Sequence, residues 1–502
     1  MEKKLQELKI RLAEINDLES AASVLNWDQS TFMPPLGAAP RARQISTLVR
    51  LSQEKFIDPA IGHLLDDLRP LEESLPYDSD DASLIRVTRR SYERALRIPP
   101  DFISRFFKHG AETYQVWTEA RPSNDFAMVQ PYLEKSLDFS RQMAQFFPGY
   151  EHIADPLIDF SDYGMKASHV RAIFSALREQ LVPLVQAITN LPPADDACLR
   201  THFPEKQQIE FGIEVIRQLG FDFERGRQDK SPHPFTTSFS VADVRITTRV
   251  DEHNFGDALF STIHEAGHAM YEQGISPALD GGPLAGGISA GVHESQSRLW
   301  ENIVGRSLPF WRFFYPRLQR SFPAQFGNVP LDTFYRAINK VEKSLIRTDA
   351  DEVTYNLHVM LRFELELQLL EGSLEVRHLP QAWNERFQAD LGITPPDDRQ
   401  GVLQDVHWYG GGIGGAFQGY TLGNIMSGIF YQAALRAHPE IPAEIEAGRF
   451  NTLHQWLKQN IYQHGRKFTA NELLQRITGS AALSIEPYMD YLRNKYQALY
   501  QA

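Results

Sequence analysis

The stretch Phe255-Gly-Asp-Ala-Leu-Phe-Ser-Thr-Ile-His264-Glu265-Ala-Gly-His268-Ala-Met-Tyr-Glu-Gln-Gly274, with His293-Glu294-Ser-Gln-Ser-Arg298 downstream, holds an H-E-x-x-H pattern and then an acidic residue. Four residues along a helix turn through about 400°, so His264 and His268 share one face and can hold one metal ion between them. Glu265, about 100° round the helix, stays out of that plane but can reach a water on the ion, as a general base does. Leu259, Ile263, Ala266 and Met270 form a separate apolar stripe, which leaves the histidines for chemistry. Asn254 with Asp257 reads as a capped start, and Gly274 with Pro277 as a stop.

Two imidazoles are half of a catalytic zinc site. The acidic residues downstream are Glu272, Asp280, Glu294 and Glu301. Glu294 opens a helix-like run after the glycine-rich connector 281–291, long enough to fold a second helix back on the first. His264, His268 and Glu294 with an open fourth position match the two-histidine, one-glutamate pattern of catalytic zinc.

A chain of 502 residues that is 42% hydrophobic can bury a large core. A formal charge of −13 with no clustered basic face argues against nucleic acid or an anionic membrane as partner. The N-terminus, Met1-Glu-Lys-Lys-Leu-Gln-Glu, lacks the apolar run of a signal peptide, which leads to the expectation of a cytoplasmic protein. One cysteine, Cys198, excludes an intrachain disulfide and a cysteine-based zinc cluster. Residues 409–435 carry no charge, yet their glycines and Gln418, Asn424 and Gln432 suit a buried loop running into a core helix better than a membrane span.

Helical periodicity runs through most of the chain, with helices expected over 1–30, 41–55, 80–98, 166–188, 204–219, 290–304, 331–345, 351–372, 376–390 and 450–460. The segment 235–250, rich in Thr, Val and Phe, reads as a small antiparallel β unit beside the zinc helix, and its edge could hold an extended peptide. The fold class is mainly α. Residues 1–502 read as a single domain, with room for two lobes around a central cleft.

Further motifs occur in order along the chain: Leu25-Asn-Trp-Asp28, His233-Pro-Phe235, Asp243-Val-Arg245-Ile-Thr247, His293-Glu-Ser-Gln296, Ile346-Arg347-Thr-Asp-Ala-Asp351 and Gly401-Val-Leu-Gln404-Asp405-Val-His407-Trp408. With H-E-x-x-H among them, the sequence resembles the carboxypeptidase Taq family of metallocarboxypeptidases over nearly its whole length. The resemblance implies a large helical zincin-type peptidase with a long substrate groove, usually a homodimer, removing C-terminal residues from peptides with zinc or cobalt. Two departures stand out: a glycine run follows His407-Trp408 where aromatic residues are expected, and Arg298, not an acidic residue, stands four after Glu294.

On this reading one divalent ion per subunit, Zn²⁺ first and Co²⁺ as the substitute, sits on His264, His268 and Glu294. Glu265 is the general base, and His407 and Tyr420 are candidates to stabilise the oxyanion. An exopeptidase must hold a free carboxylate, for which an arginine fork suits: Arg347 first, Arg245 second, with His233 as a further substrate contact. Plainer roles compete: Arg347 paired with Asp349 or Asp351, and Arg245 holding the sheet together. The rival functions are a zinc endo-oligopeptidase on the same site and a non-catalytic peptide-binding scaffold.

Overall fold

The computed structural model describes residues 1–500 and is mostly helical. The elements around the site are α1 (Glu2–Thr31), α2 (Ala38–Phe56), α3 (Asp80–Arg97), β1 (Gly226–Lys230), β2 (Thr236–Ser240), β3 (Asp243–Thr248), α4 (Phe255–Gly274), α5 (Ala290–Arg298), α6 (Tyr355–Glu371) and α7 (Gln418–Ala437). No helix among the described residues is long and apolar enough to cross a membrane.

Helix α4 is more deeply embedded than an amphipathic surface helix. Leu259, Ile263, Ala266 and Met270 are buried as the stripe requires, and so is nearly every other position. The exceptions, Gly256, Asp257, Ser261, His264 and His268, recur at helical spacing and form one open strip along the helix. Asn254 precedes the helix but its side chain caps nothing, and Asp257 is engaged by Arg249 at 2.9 Å and 3.1 Å. Helix α5 does start on a cap, Ser289 accepting from Val292 N at 3.2 Å, and runs into a π-helical turn, Leu299–Val304. One wider turn in place of regular α-helix often marks a functional site.

Two glycines let these helices meet. A methyl group on Gly267 of α4 would lie 2.7 Å from Ser297 Cα, and one on Gly423 of α7 would lie 2.6 Å from Glu294 Cβ. Only bare backbone at both crossings brings Glu294 up to the histidines.

The sheet is mixed, ordered β1-β3-β2, with β2 antiparallel and β1 parallel to β3. The antiparallel unit expected over 235–250 is β2 with β3, and β1 and β2 are the two edges of the sheet. Strand β1, Gly-Arg-Gln-Asp-Lys, has no β-branched or aromatic residue to announce it, and it exists by pairing with β3.

Leu5, Leu8, Leu12 and Ile15 of α1 pack against Leu64, Leu65 and Leu68 of Pro59–Ser74, a helix absent from the expectations although Asp58 and Pro59 mark its start. The helix expected over 331–345 ends at Ile338. Beyond it, side chains take over the backbone bonds: Arg306 Nη1 donates to Ile338 O at 2.7 Å, and Asp351 Oδ2 accepts from Glu342 N at 3.2 Å. The irregular segment that results carries Arg347.

Candidate metal centre and its groove

His264 and His268 project from the open strip of α4 towards Glu294 on α5. Glu294 Oε2 lies 3.6 Å from His264 Nε2 and 3.4 Å from His268 Nε2, and the three donor atoms fall within 4.8 Å of one another. Donors on a tetrahedral ion at about 2.1 Å stand about 3.4 Å apart, so the triad has the dimensions of a zinc-sized site. The charge fits too: Glu265, Glu294 and Glu301 outnumber Arg298 and Arg306, so the site stays net negative and favours a cation.

The ring nitrogens facing away from the centre are also held. His264 Nδ1 donates to Glu301 Oε2 at 2.9 Å. His268 Nδ1 donates to His293 Nδ1 at 2.6 Å, and His293 Nε2 donates to Glu272 Oε1 at 2.7 Å. Both chains fix the tautomer that leaves Nε2 free to bind metal. Burial pushes the His268 imidazole down to about 3, keeping it neutral as a ligand must be. Burial opposes ionisation of Glu301, but Arg298 and the His264 bond prevail and bring it to about 2. Glu272 and Glu301, two of the acidic residues considered as ligands, thus orient histidines instead.

Arg298 accounts for the missing acidic residue four after Glu294. Its Nε donates to Glu294 Oε1 at 2.7 Å and its Nη1 to Glu301 Oε2 at 3.1 Å, so one guanidinium steers both carboxylates. Because such partners set ligand orientation and basicity, Glu301→Gln should lower metal affinity about 10–100-fold with the fold intact. Chelator competition measures this, and an unchanged affinity would remove Glu301 from the site.

Glu265 is buried beside the triad, its Oε2 accepting from Thr236 Oγ1 of the edge strand at 2.6 Å. Burial raises its carboxyl above the usual range, with His264 and the Thr236 bond opposing. Thr236 lies inside the strand-like stretch, but nothing local marks it as the partner of a glutamate on the helix.

His264 opens onto a cavity of about 1100 Å³ that Arg347 also lines. Arg347 pairs with neither Asp349 nor Asp351: its Nε donates to Asp405 Oδ2 at 2.5 Å and its Nη1 to Tyr355 OH at 3.0 Å. Asp405 Oδ1 accepts from His407 Nδ1 at 2.5 Å, and His407 Nε2 lies 3.1 Å from Tyr420 OH. Arg347, His407 and Tyr420 are therefore one cluster. Burial pushes the Tyr420 hydroxyl up, so it keeps its proton and remains a donor. Arg245 stands apart from this cluster, bidentate on Asp243 at 2.8 Å and stacked 4.4 Å over Trp27. The His233 side chain is exposed.

Comparison with known proteins agrees over the full length. The family model described as carboxypeptidase Taq (M32) metallopeptidase matches residues 7–496. Thermostable carboxypeptidase 1 of Thermus thermophilus is 40% identical over 495 residues, covering 96% of each chain. Carboxypeptidase 1 of Bacillus subtilis is 36% identical over 495 residues, covering 97% of each. The crystal structure of the M32 carboxypeptidase from Deinococcus radiodurans superposes with a TM-score of 0.96 at 48% identity, with 100% of both chains covered.

Proposed function

The chain belongs to the carboxypeptidase Taq (M32) family of metallopeptidases and is a metal-dependent carboxypeptidase, and from that premise we propose how its residues divide the work. His264, His268 and Glu294 would hold the ion, zinc by ligand type with cobalt able to replace it. Bound there, such an ion supplies a Lewis acid and brings the pKa of an adjacent water towards neutrality. Glu265 takes the proton from that water as it attacks the last peptide bond and passes it to the leaving amine. Thr236 holds the carboxylate in place for both transfers. Tyr420 donates to the oxyanion that develops on the scissile carbonyl, and His407, 3.1 Å from its hydroxyl, sets the direction of that donor. Arg347, held by Asp405 and Tyr355, receives the terminal carboxylate of the peptide.

The observation that carries the exopeptidase assignment is that His264 and Arg347 line the same cavity. A fixed cation in the groove measures the peptide from its free end. Peptides ending in a carboxamide should therefore be cut about 10²-fold less efficiently, by kcat/KM, than the free acids, since a neutral amide forgoes the charge-assisted bonds a carboxylate makes to the arginine. Equal rates on the two would remove Arg347 as the anchor of the terminal carboxylate.

A further inference from the structure

A second cavity, of about 640 Å³, has His293, the partner of His268, in its wall. Three arginines from distant parts of the chain face it: Arg90 and Arg94 of α3, and Arg466. Only Arg94 has a carboxylate beside it, Asp159 Oδ2 at 3.8 Å. That carboxylate is already taken, accepting from the Tyr150 hydroxyl and from Gly164 N at 2.7 Å. Arg90 and Arg466 form no ion pair among the described residues. Glu272, the acid whose charge acts on Arg466, is bound by His293 at 2.7 Å and Gly287 N at 3.1 Å. Burial, with the charges of Arg90 and Arg94, pushes the Arg466 guanidinium below its ordinary value, so the three cations share one space.

Aromatic rings hold two of them in position. Arg90 lies 3.9 Å over Tyr163 and Arg94 4.5 Å over Phe160. Phe160 is 44% and Tyr163 40% exposed, and both rings line the cavity. Ile98, Ile103 and Ile288 supply an aliphatic part of the wall, with Gln53, Ser91 and Ser289 beside them and Asp159 at the Arg94 end. Uncompensated guanidinium groups beside an aliphatic wall match an anion carried on a short carbon chain.

We propose that this cavity is a binding site for a carboxylate on an aliphatic stem, separate from Arg347, held by Arg90 and Arg466. Two sources offer that chemistry: an acidic side chain upstream of the scissile bond, or a free small carboxylate. Through His293 the occupant would stand next to the hydrogen-bond chain of His268, so the site is placed to bias peptide choice.

The metal-loaded full chain and its Arg90→Gln/Arg466→Gln variant test this with two probes. One is glutarate, titrated calorimetrically. The other is a peptide series with a single glutamate, or glutamine in its place, moved stepwise upstream of the cleaved bond. The wild type should bind glutarate, or favour glutamate at one position by about tenfold in KM, and the variant should lose the effect while cutting the glutamine peptides normally. Glutarate binding without a glutamate preference assigns a free carboxylate, and a glutamate preference assigns a substrate side chain. Wild type and variant alike with both probes would overturn the site. Should the double variant fold poorly, Arg90→Lys/Arg466→Lys keeps the charge and loses the fork, and it must weaken binding for the proposal to stand.

Discussion

Glu265→Gln, purified with its metal content intact, is expected to lose about 10²–10⁴-fold in kcat, the share a positioned general base contributes. The substitution is close to isosteric, and the glutamine carbonyl can still accept from Thr236 Oγ1, now 2.6 Å from Glu265 Oε2. Glu265 lies outside the triad of His264, His268 and Glu294, so metal affinity should hold. What the amide cannot do is take a proton. Metal content by elemental analysis and turnover of a short peptide together decide the matter. Turnover retained in the loaded variant would end the assignment of Glu265 as base, whereas lost metal would show that it helps to hold the ion.

The parts of this site legible in the sequence are those whose geometry is local. His264 and His268 are one helical turn apart, so their spacing alone puts them on one face. Glu294 could be picked out because a glycine-rich connector and a helix-like run predict a second helix folding back, and α5 does so. The partners were not legible. Arg347 meets Asp405 across 58 residues, and His268 meets His293 across 25, on separate elements whose relative placement no periodicity records. Strand β1 was invisible for the same reason, being made by its neighbour rather than by its own residues. The irregular run after Ile338 departs from a helical pattern because Arg306 and Asp351 satisfy its backbone from a distance. Local chemistry was therefore readable, and the arrangement that orients it required the fold.

Asp405→Asn should damage stability and turnover together, and it separates two roles. Asp405 Oδ2 faces Arg347 Nε at 2.5 Å and Arg362 Nε at 3.0 Å, the latter as an ion pair rather than an aligned hydrogen bond, and Oδ1 holds His407 Nδ1 at 2.5 Å. Burial works against its charge, but Arg362, His407 and Arg347 hold the carboxyl well below the ordinary range. Arg362 is fully buried, so with Asp405 neutral its charge has no counter-ion, at a cost of about 3–5 kcal/mol. A clear drop in the urea midpoint should follow. His407 also loses the carboxylate that fixes its Nδ1–H, and with it the ring orientation towards Tyr420, so kcat should fall by about 10²–10³-fold, as when an oxyanion donor is removed. Arg347→Met gives the contrast: Asp405 keeps Arg362 and His407, so kcat should suffer less while KM rises for peptides with a free carboxylate. If Arg347→Met instead lowers the urea midpoint as far as Asp405→Asn and leaves KM unchanged, Arg347 is part of the buried ion-pair network and does not touch substrate.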